Sequence, residues 1–328
     1  MLFQGVFYVF LIAGRDYSKP IDYLCTREKR YPMASEKLQG HLAVAAAYAI
    51  FGLNIVFCKD IANAEAISPV VLFTLRAIGA TALFWIISFF LPKESIDKED
   101  FWKIFLASMV GLFTPQMTFL FAITMASPVD TAVMGTLGPI FTMFFAYFFV
   151  KEPITAKKAG GVAISFAGVL FLIFNSVHAG GSSTPLGILL LLANGVSFAL
   201  YLGVFRPLIS KYNVVTFMKW MFLFSLLASL PLSITGLLTT DYAAIPVLVR
   251  WEIGYLIVFA TFVAYFLIPY GQKRIRPTLV SLYSYLQPVI AAAISISYGM
   301  DRITWQKVVA SLLIVGGVLL VNRSRAAK

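Results

Sequence analysis

Ten apolar stretches follow one another along the chain, separated by short polar connections. Each is close to the length of about 20 residues that a helix needs to cross a hydrocarbon core of about 30 Å. The stretches are apolar on all sides, whereas the strands of a transmembrane barrel alternate apolar and polar residues. The pattern therefore predicts an all-α integral membrane protein with ten transmembrane helices. These helices are predicted at 39–58, 69–91, 102–123, 130–150, 157–175, 185–205, 216–236, 252–271, 277–298 and 305–321.

The composition leads to the same class of protein. Of the 328 residues, 60% are apolar and 12% are charged, and the mean hydropathy is +0.86. A chain of this kind could hardly cover a water-soluble surface. No connection is long enough for a soluble domain, so we expect one compact unit in the lipid bilayer.

The net charge of +11 is distributed by membrane side. Lys and Arg concentrate in alternate connections and in the C-terminal tail, whereas the other connections carry few of them. By the positive-inside rule, both termini are expected in the cytoplasm, with the protein in the plasma or inner membrane. This topology accounts for the basic charge and makes nucleic-acid binding an unnecessary explanation.

Residues 1–37 are expected to form a cytoplasmic N-terminal segment. The apolar run from Leu2 to Gly14 is too short to span, and its basic residues follow it, which is the reverse of a signal peptide. Because Met33 leads directly into the first span, we expect residues 1–32 to be disordered or to precede the true start. Residues 322–328 are expected to be a basic cytoplasmic tail.

The two halves of the chain are copies of each other. An offset of 149 residues aligns Pro128 with Pro277, Pro139 with Pro288, Glu152 with Asp301, Thr155 with Thr304 and Gly168 with Gly317, and an offset of 147 aligns Asn54 with Tyr201 and Lys59 with Arg206. Each copy contains five predicted helices, an odd number, so the second copy must be inverted in the bilayer. The predicted repeats are residues 38–175 and 185–321.

The repeated residues resemble the signature of the EamA-type branch of the drug/metabolite transporter superfamily. The first copy carries Phe121-Ala122-Ile123, Ser127, Ala132, Gly138-Pro139, Glu152-Pro153-Ile154-Thr155 and Gly168-Val169, and the second carries Gln287-Pro288, Asp301, Ile303-Thr304 and Gly316-Gly317-Val318. The resemblance implies a carrier of two inverted EamA-type repeats with a central cavity, moving amino acids, other small metabolites or drug-like compounds, commonly outward. Asp301-Arg302 departs from the family, where Glu and then a small residue or Pro are usual, and this weakens any role for that acid.

Prolines and small residues inside the spans each allow two interpretations. Pro139 and Pro288 open their helices locally at equivalent places, and they either shape the helices or act as hinges for alternating access. The small residues around Gly161 and Gly317 allow close helix approach, either within the chain or across a homodimer.

Arg76 is the most informative charge, since it lies about seven residues inside the second span. A buried cation there costs several kcal/mol unless it is paired or hydrated. It could extend toward the headgroups or support a structural hydrogen-bond network. It could instead stand in the cavity and attract an anionic group, such as a substrate carboxylate.

Other polar-tipped side chains within the spans need partners, which a bundle interior or a water-filled cavity supplies. Each could line a substrate site or bond a neighbouring helix. Asn54 and Tyr201 are repeat-related candidates for opposite walls, and Trp220 is an aromatic candidate. The cavity candidates are Asn54, Arg76, Gln116, Asn194, Tyr201, Trp220, Tyr265, Tyr283 and Gln287.

The sequence thus predicts a secondary transporter that exports small metabolites such as amino acids by alternating access. The alternative substrates are aromatic or cationic drug-like compounds. The carboxylates map to tails, connections and helix ends, which favours a facilitator or exchanger over a carboxylate-driven antiporter. A membrane-embedded enzyme is the rival class, but His41 and His178 lie far from the membrane centre. We expect no cofactor and no metal.

Overall fold

The computed structural model of the protein describes residues 34–126, 128–135, 137–150, 155–177 and 184–297, with single positions between 305 and 320. Regular secondary structure in these ranges is entirely helical. The helices are α1 Ala34–Asn63, α2 Pro69–Phe89, α3 Lys98–Met125, α4 Pro128–Gly135, α5 Gly138–Val150, α6 Ala156–Val177, α7 Pro185–Val204, α8 Arg206–Lys211, α9 Val214–Thr239, α10 Val247–Gln272, α11 Pro277–Leu282 and α12 Leu286–Ser297. The expectations for residues 1–32 and 322–328 lie outside the described residues.

Helix starts follow local sequence signals. Ser68 accepts a hydrogen bond from the Val71 amide at 3.4 Å and is followed by Pro69, the first residue of α2. Thr184 accepts one from the Gly187 amide at 3.1 Å and is followed by the first proline of α7. The amide groups of the first helical turn have no partner within the helix. The capping oxygen accepts from one of them, and the proline has no N–H and so removes another.

Six helices of the described chain are long and apolar enough to cross a membrane, namely Glu36–Asn63, Pro69–Phe89, Lys98–Met125, Leu186–Val204, Val214–Thr239 and Val247–Gln272. They coincide with six of the ten predicted spans. The predicted span 130–150 is instead divided into α4 and α5, and the span 277–298 into α11 and α12 around a 3₁₀ turn at Tyr283–Tyr285. The span 157–175 corresponds to α6, and most of 305–321 lies outside the described residues.

The contacts between helices repeat in pairs. The contact of α3 with α7 has its counterpart in that of α10 with α1, and the contact of α5 with α7 in that of α12 with α1. The repeat-related helices α2 and α9 pack on each other, as a pair crossing a twofold pseudosymmetry axis would. Both α3 and α10 also contain a π-helical stretch, at Met109–Phe113 and Leu256–Val263, and these overlap at the 147-residue offset.

The repeat extends to single contacts. A Cβ added to Gly40 would lie 2.8 Å from the Cβ of Arg274, just after the end of α10, and one added to Gly187, its mate at the 147-residue offset, would lie 3.1 Å from the carbonyl oxygen of Met125, the last residue of α3. The absence of a side chain at these two glycines therefore lets α1 approach the end of α10, and α7 the end of α3.

The connections group into two ends of the bundle. Residues 90–97, 205–213 and 273–276 contact one another at one end, which we call the basic end because it carries Lys93, Lys211 and Arg276. Residues 64–68 and 240–246 belong to the opposite end, where Lys59 caps α3 by donating to the carbonyls of Ile123 and Ala126.

Candidate functional site

A central cavity of about 110 Å³ lies between the two halves of the chain. Its walls come from α1, α2, α3, α4, α5, α7, α10, α11, the 3₁₀ turn and α12. Six of the nine predicted cavity residues line it, namely Asn54, Arg76, Gln116, Asn194, Tyr265 and Gln287. The structure thus brings most of the candidates together, while their part in binding stays a prediction.

Arg76 is almost fully buried on α2 and lines this cavity. Its Nε donates to the Thr261 hydroxyl of α10 at 2.8 Å, and the Thr261 hydroxyl donates to the Leu256 carbonyl at 2.7 Å within the π-helical stretch. Its Nη1 lies 4.0 Å from the Cys58 sulfur. The side chain therefore points into the protein and does not extend to the membrane surface.

The wall formed by α3 is shaped by Pro115. In the π-helical register the Thr114 amide donates to the Met109 carbonyl, so the next amide would donate to Val110, but proline has no N–H. The Ser197 hydroxyl of α7 donates to the Val110 carbonyl instead, at 2.7 Å. One turn earlier on α7, Asn194 donates to the Pro115 carbonyl at 2.6 Å, which also fixes this candidate residue against the cavity.

The other polar candidates in the cavity have few protein partners. Gln116 is buried, and neither atom of its amide makes a hydrogen bond of normal length and angle, although its side chain lies beside the Tyr265 hydroxyl. Asn54 accepts only a long contact of 3.7 Å from the Cys58 thiol. The Gln287 Oε1 atom faces Gly135, where an added Cβ would lie 3.3 Å away.

Three candidates lie elsewhere. Tyr201 is buried in the hydrophobic core, where its ring occupies the space left by Gly111. Trp220 packs edge-on against Trp85, with ring centroids 5.5 Å apart. Tyr283 bonds His41, with 2.9 Å between the hydroxyl oxygen and Nδ1. The structure therefore does not make Asn54 and Tyr201 opposite walls of one site.

The two candidate hinge prolines stand at helix breaks. Pro139 is the second residue of α5, just after the break from α4, and Pro288 is the third residue of α12, just after the 3₁₀ turn. The breaks bring Gly135, Gly138, Ser284 and Gln287 to the cavity wall. Whether either proline moves stays a prediction.

Smaller hydroxyl residues complete the cavity and were not among the sequence candidates. Thr142 and Ser284 line it, and both hydroxyls are buried without a partner in the described chain. Thr261 holds Arg76 from outside the cavity lining. In the sequence these residues are marked only by a hydroxyl group inside an apolar run. Such a hydroxyl more often bonds a carbonyl of its own helix, so it does not indicate a cavity.

A network of ion pairs joins the two halves at the basic end. Lys211 Nζ contacts Asp97 at 2.6 Å and Asp100 at 2.5 Å, and Asp100 also accepts from the Tyr212 hydroxyl at 2.8 Å. The hydrogen bonds to Asp100 and then Asp97 raise the pKa of Lys211. Nearby, Glu94 accepts from the Asn213 amide. This network ties the α2–α3 connection to the α8–α9 connection.

The small-residue stripe packs within the chain where it is described. A Cβ added at Gly317 would lie 2.0 Å from the Ser165 hydroxyl and 2.5 Å from the Gly161 carbonyl of α6. In the described part of the chain, no group of three or more His, Cys, Asp or Glu side chains could hold a metal ion. A homodimer remains a separate prediction.

A helical membrane bundle with a central cavity between two sequence repeats has the architecture of a carrier. The profile of the EamA-like transporter family matches residues 38–174 and 185–323, so the chain belongs to this family. It is a multi-pass membrane protein of a transporter family, and the profile covers both halves.

Named relatives and a solved structure agree with this assignment. The uncharacterized transporter YetK of Bacillus subtilis is 21% identical over 296 residues, covering 88% of each chain. The uncharacterized inner membrane transporter YedA of Escherichia coli K12 is 27% identical over 197 residues, covering 58% of this chain and 60% of its own. A crystal structure with 20% identity aligns at a TM-score of 0.69 over 88% of this chain and 98% of its own, which supports the fold.

Proposed function

We propose that the protein is a secondary transporter that exports small metabolites, such as amino acids or related compounds, by alternating access. The observation that carries this proposal is the central cavity, which takes residues from both halves of a duplicated bundle. In such carriers the substrate site lies near the bilayer midplane at the interface of the repeats, and the repeats move around it.

The proposal includes ten transmembrane helices arranged as two inverted five-helix repeats. The paired helix contacts, the two π-helical stretches and the matched helix breaks support this arrangement. Both termini are cytoplasmic in the proposed topology, because the basic end then faces inward. The inner membrane named for the relative YedA is consistent with this location.

The lining favours metabolites over cationic drugs. Phe51, Phe119 and Phe198 give the cavity an aromatic wall that would suit drug-like compounds. However, Arg76 is the only charged side chain among the described lining residues, and it would repel a cation. Aromatic neutral compounds therefore remain the second substrate class, and cationic ones are disfavoured.

The test is flux through purified protein in liposomes, using radiolabelled amino acids and a panel of aromatic drugs. Ala199 is buried and lines the cavity, so Ala199→Phe should fill it and abolish flux. Ala82 is exposed on α2, so Ala82→Phe adds the same volume outside the cavity and should leave flux unchanged. Absence of flux for every solute, or undiminished flux in folded Ala199→Phe protein, would refute the proposal.

A further inference from the structure

Arg76 brings a positive charge to the cavity without an acid to balance it. Its residue is 2% exposed, and no carboxylate in the described chain lies within ion-pair distance of its guanidinium. Besides Thr261, the acceptor that it contacts is the Cys58 sulfur, which is a weak one. A buried charge in this state is costly, so a ligand that neutralises it binds with a large advantage.

The orientation of the guanidinium is fixed by Thr261. The single proton of the Thr261 hydroxyl is donated to the Leu256 carbonyl, so this hydroxyl can only accept from Arg76 Nε. The edge formed by Nη1 and Nη2 has only the long contact of Nη1 with Cys58 among the described residues, and Arg76 lines the cavity. This edge presents two parallel N–H groups, the geometry that pairs with a planar carboxylate.

Gln116 supplies a second unused donor to the same cavity. The residue is 5% exposed, and both its Nε2 and its Oε1 lack a hydrogen-bond partner. Tyr265 and Arg76 line the same cavity as Gln116. Because a buried amide without partners is destabilising, this group is also suited to a polar ligand.

We propose that Arg76 and Gln116 form a carboxylate subsite, and that the substrate is an organic carboxylate with an apolar body. The anionic group pairs with the Nη1–Nη2 edge of Arg76 and accepts from Gln116 Nε2, while the body lies against Phe51, Phe119 and Phe198. The inference rests on the proposed function, because it names the substrate class of that cavity.

The experiment measures binding to the purified full-length protein by calorimetry. The two probes are 3-phenylpropionate and its amide, 3-phenylpropanamide, which share a shape and differ in charge. The native protein is expected to bind the carboxylate about tenfold or more tightly, as charge-assisted hydrogen bonds do in a desolvated site. Arg76→Gln should bind both probes equally. Arg76→Lys should keep part of the preference for the carboxylate, because lysine keeps the positive charge but lacks the two parallel N–H donors of the guanidinium.

Two further variants make the measurement specific. Arg250→Gln removes the same charge from an exposed position on α10 and should retain the native preference. Gln116→Leu should weaken carboxylate binding severalfold, and it provides an independent answer if Arg76→Gln does not fold. Size-exclusion chromatography and thermal unfolding identify folded protein.

The subsite is overturned if the native protein binds neither probe, binds both equally, or if the preference persists in Arg76→Gln. Liposome flux separates this result from the proposed function. Carboxylate preference without flux of any solute supports the subsite and contradicts transport. Flux of neutral or cationic solutes without a carboxylate preference supports transport and contradicts the subsite.

Discussion

The π-helical stretch before Pro115 in α3 gives a prediction about how two helices compensate for a missing hydrogen bond. Pro115 cannot donate to the Val110 carbonyl, and Ser197 of α7 does so at 2.7 Å. Replacing Ser197 with Ala should leave this carbonyl without a partner. The replacement should matter less when Pro115→Ala has restored an N–H that can donate to Val110.

The size of the effect follows from the environment of the bond. Hydrogen bonds between membrane helices contribute about 0.6 kcal/mol on average and up to ~1.7 kcal/mol. The Ser197 bond is short, at 2.7 Å, and Pro115 has no N–H that could compete for the Val110 carbonyl, so we expect Ser197→Ala to cost about 1 kcal/mol in the native background. In the Pro115→Ala background the cost should fall close to zero, which gives a coupling energy of about 1 kcal/mol between the two positions.

The assay is reversible unfolding in mixed micelles, followed by circular dichroism, for the four members of the double-mutant cycle. Ser88→Ala is the control, because the Ser88 hydroxyl bonds only the Trp85 carbonyl of its own helix at 2.8 Å. It should show no coupling to Pro115→Ala. Equal costs of Ser197→Ala in both backgrounds would show that Ser197 does not replace the missing bond.

Two further predictions concern packing and the contact between the halves. Gly111→Ala should lower the thermal unfolding temperature, since the new Cβ would lie 2.4 Å from the buried ring of Tyr201. Gly254→Ala is the control, because its new Cβ would meet nothing within 4 Å, and it should be neutral or stabilising. Lys211→Met should speed hydrogen–deuterium exchange in the α2–α3 and α8–α9 connections, because Lys211 contacts Asp100 across them. Unchanged exchange there would show that this ion pair does not hold the halves together.

Hydropathy predicts where the helices lie along the chain, but it does not predict where they are broken or change to a π-helical register. Six predicted spans are continuous helices because an apolar run of sufficient length has no other stable backbone in lipid. Hydropathy does not predict the division of the spans 130–150 and 277–298, although Pro139 and Pro288 lie just after the breaks. The π-helical stretches in α3 and α10 also carry no hydropathy signal.

Residue type predicts which side chains need a polar environment, but the rotation of each helix decides which of them reach the cavity. A polar tip in a span indicates a need for a partner, and for Gln116 and Arg76 the cavity lies where the side chain points. Tyr201 has the same signal but faces Gly111 in the core. The sequence carries no signal for Thr261, because its hydroxyl donates to a carbonyl of its own helix and only the bond that it accepts from Arg76 shows its role.

The two ends of the bundle are held by different charges although the repeat makes them equivalent. At the basic end, Lys211 joins two carboxylates across the halves. At the opposite end the 147-residue offset puts Ala64 in place of Lys211, and two carboxylates, Asp60 and Glu252, face each other. Two carboxyl groups stay in contact only while one of them holds a proton, because two carboxylates repel each other, and a second cavity of about 500 Å³ lies at this end beside Cys58. Under the proposed alternating access, we expect this conformation to open at the end opposite the ion pairs once both carboxyl groups ionise, and we expect a substrate that drives the alternation to bind more tightly to the state in which the ion pairs are broken.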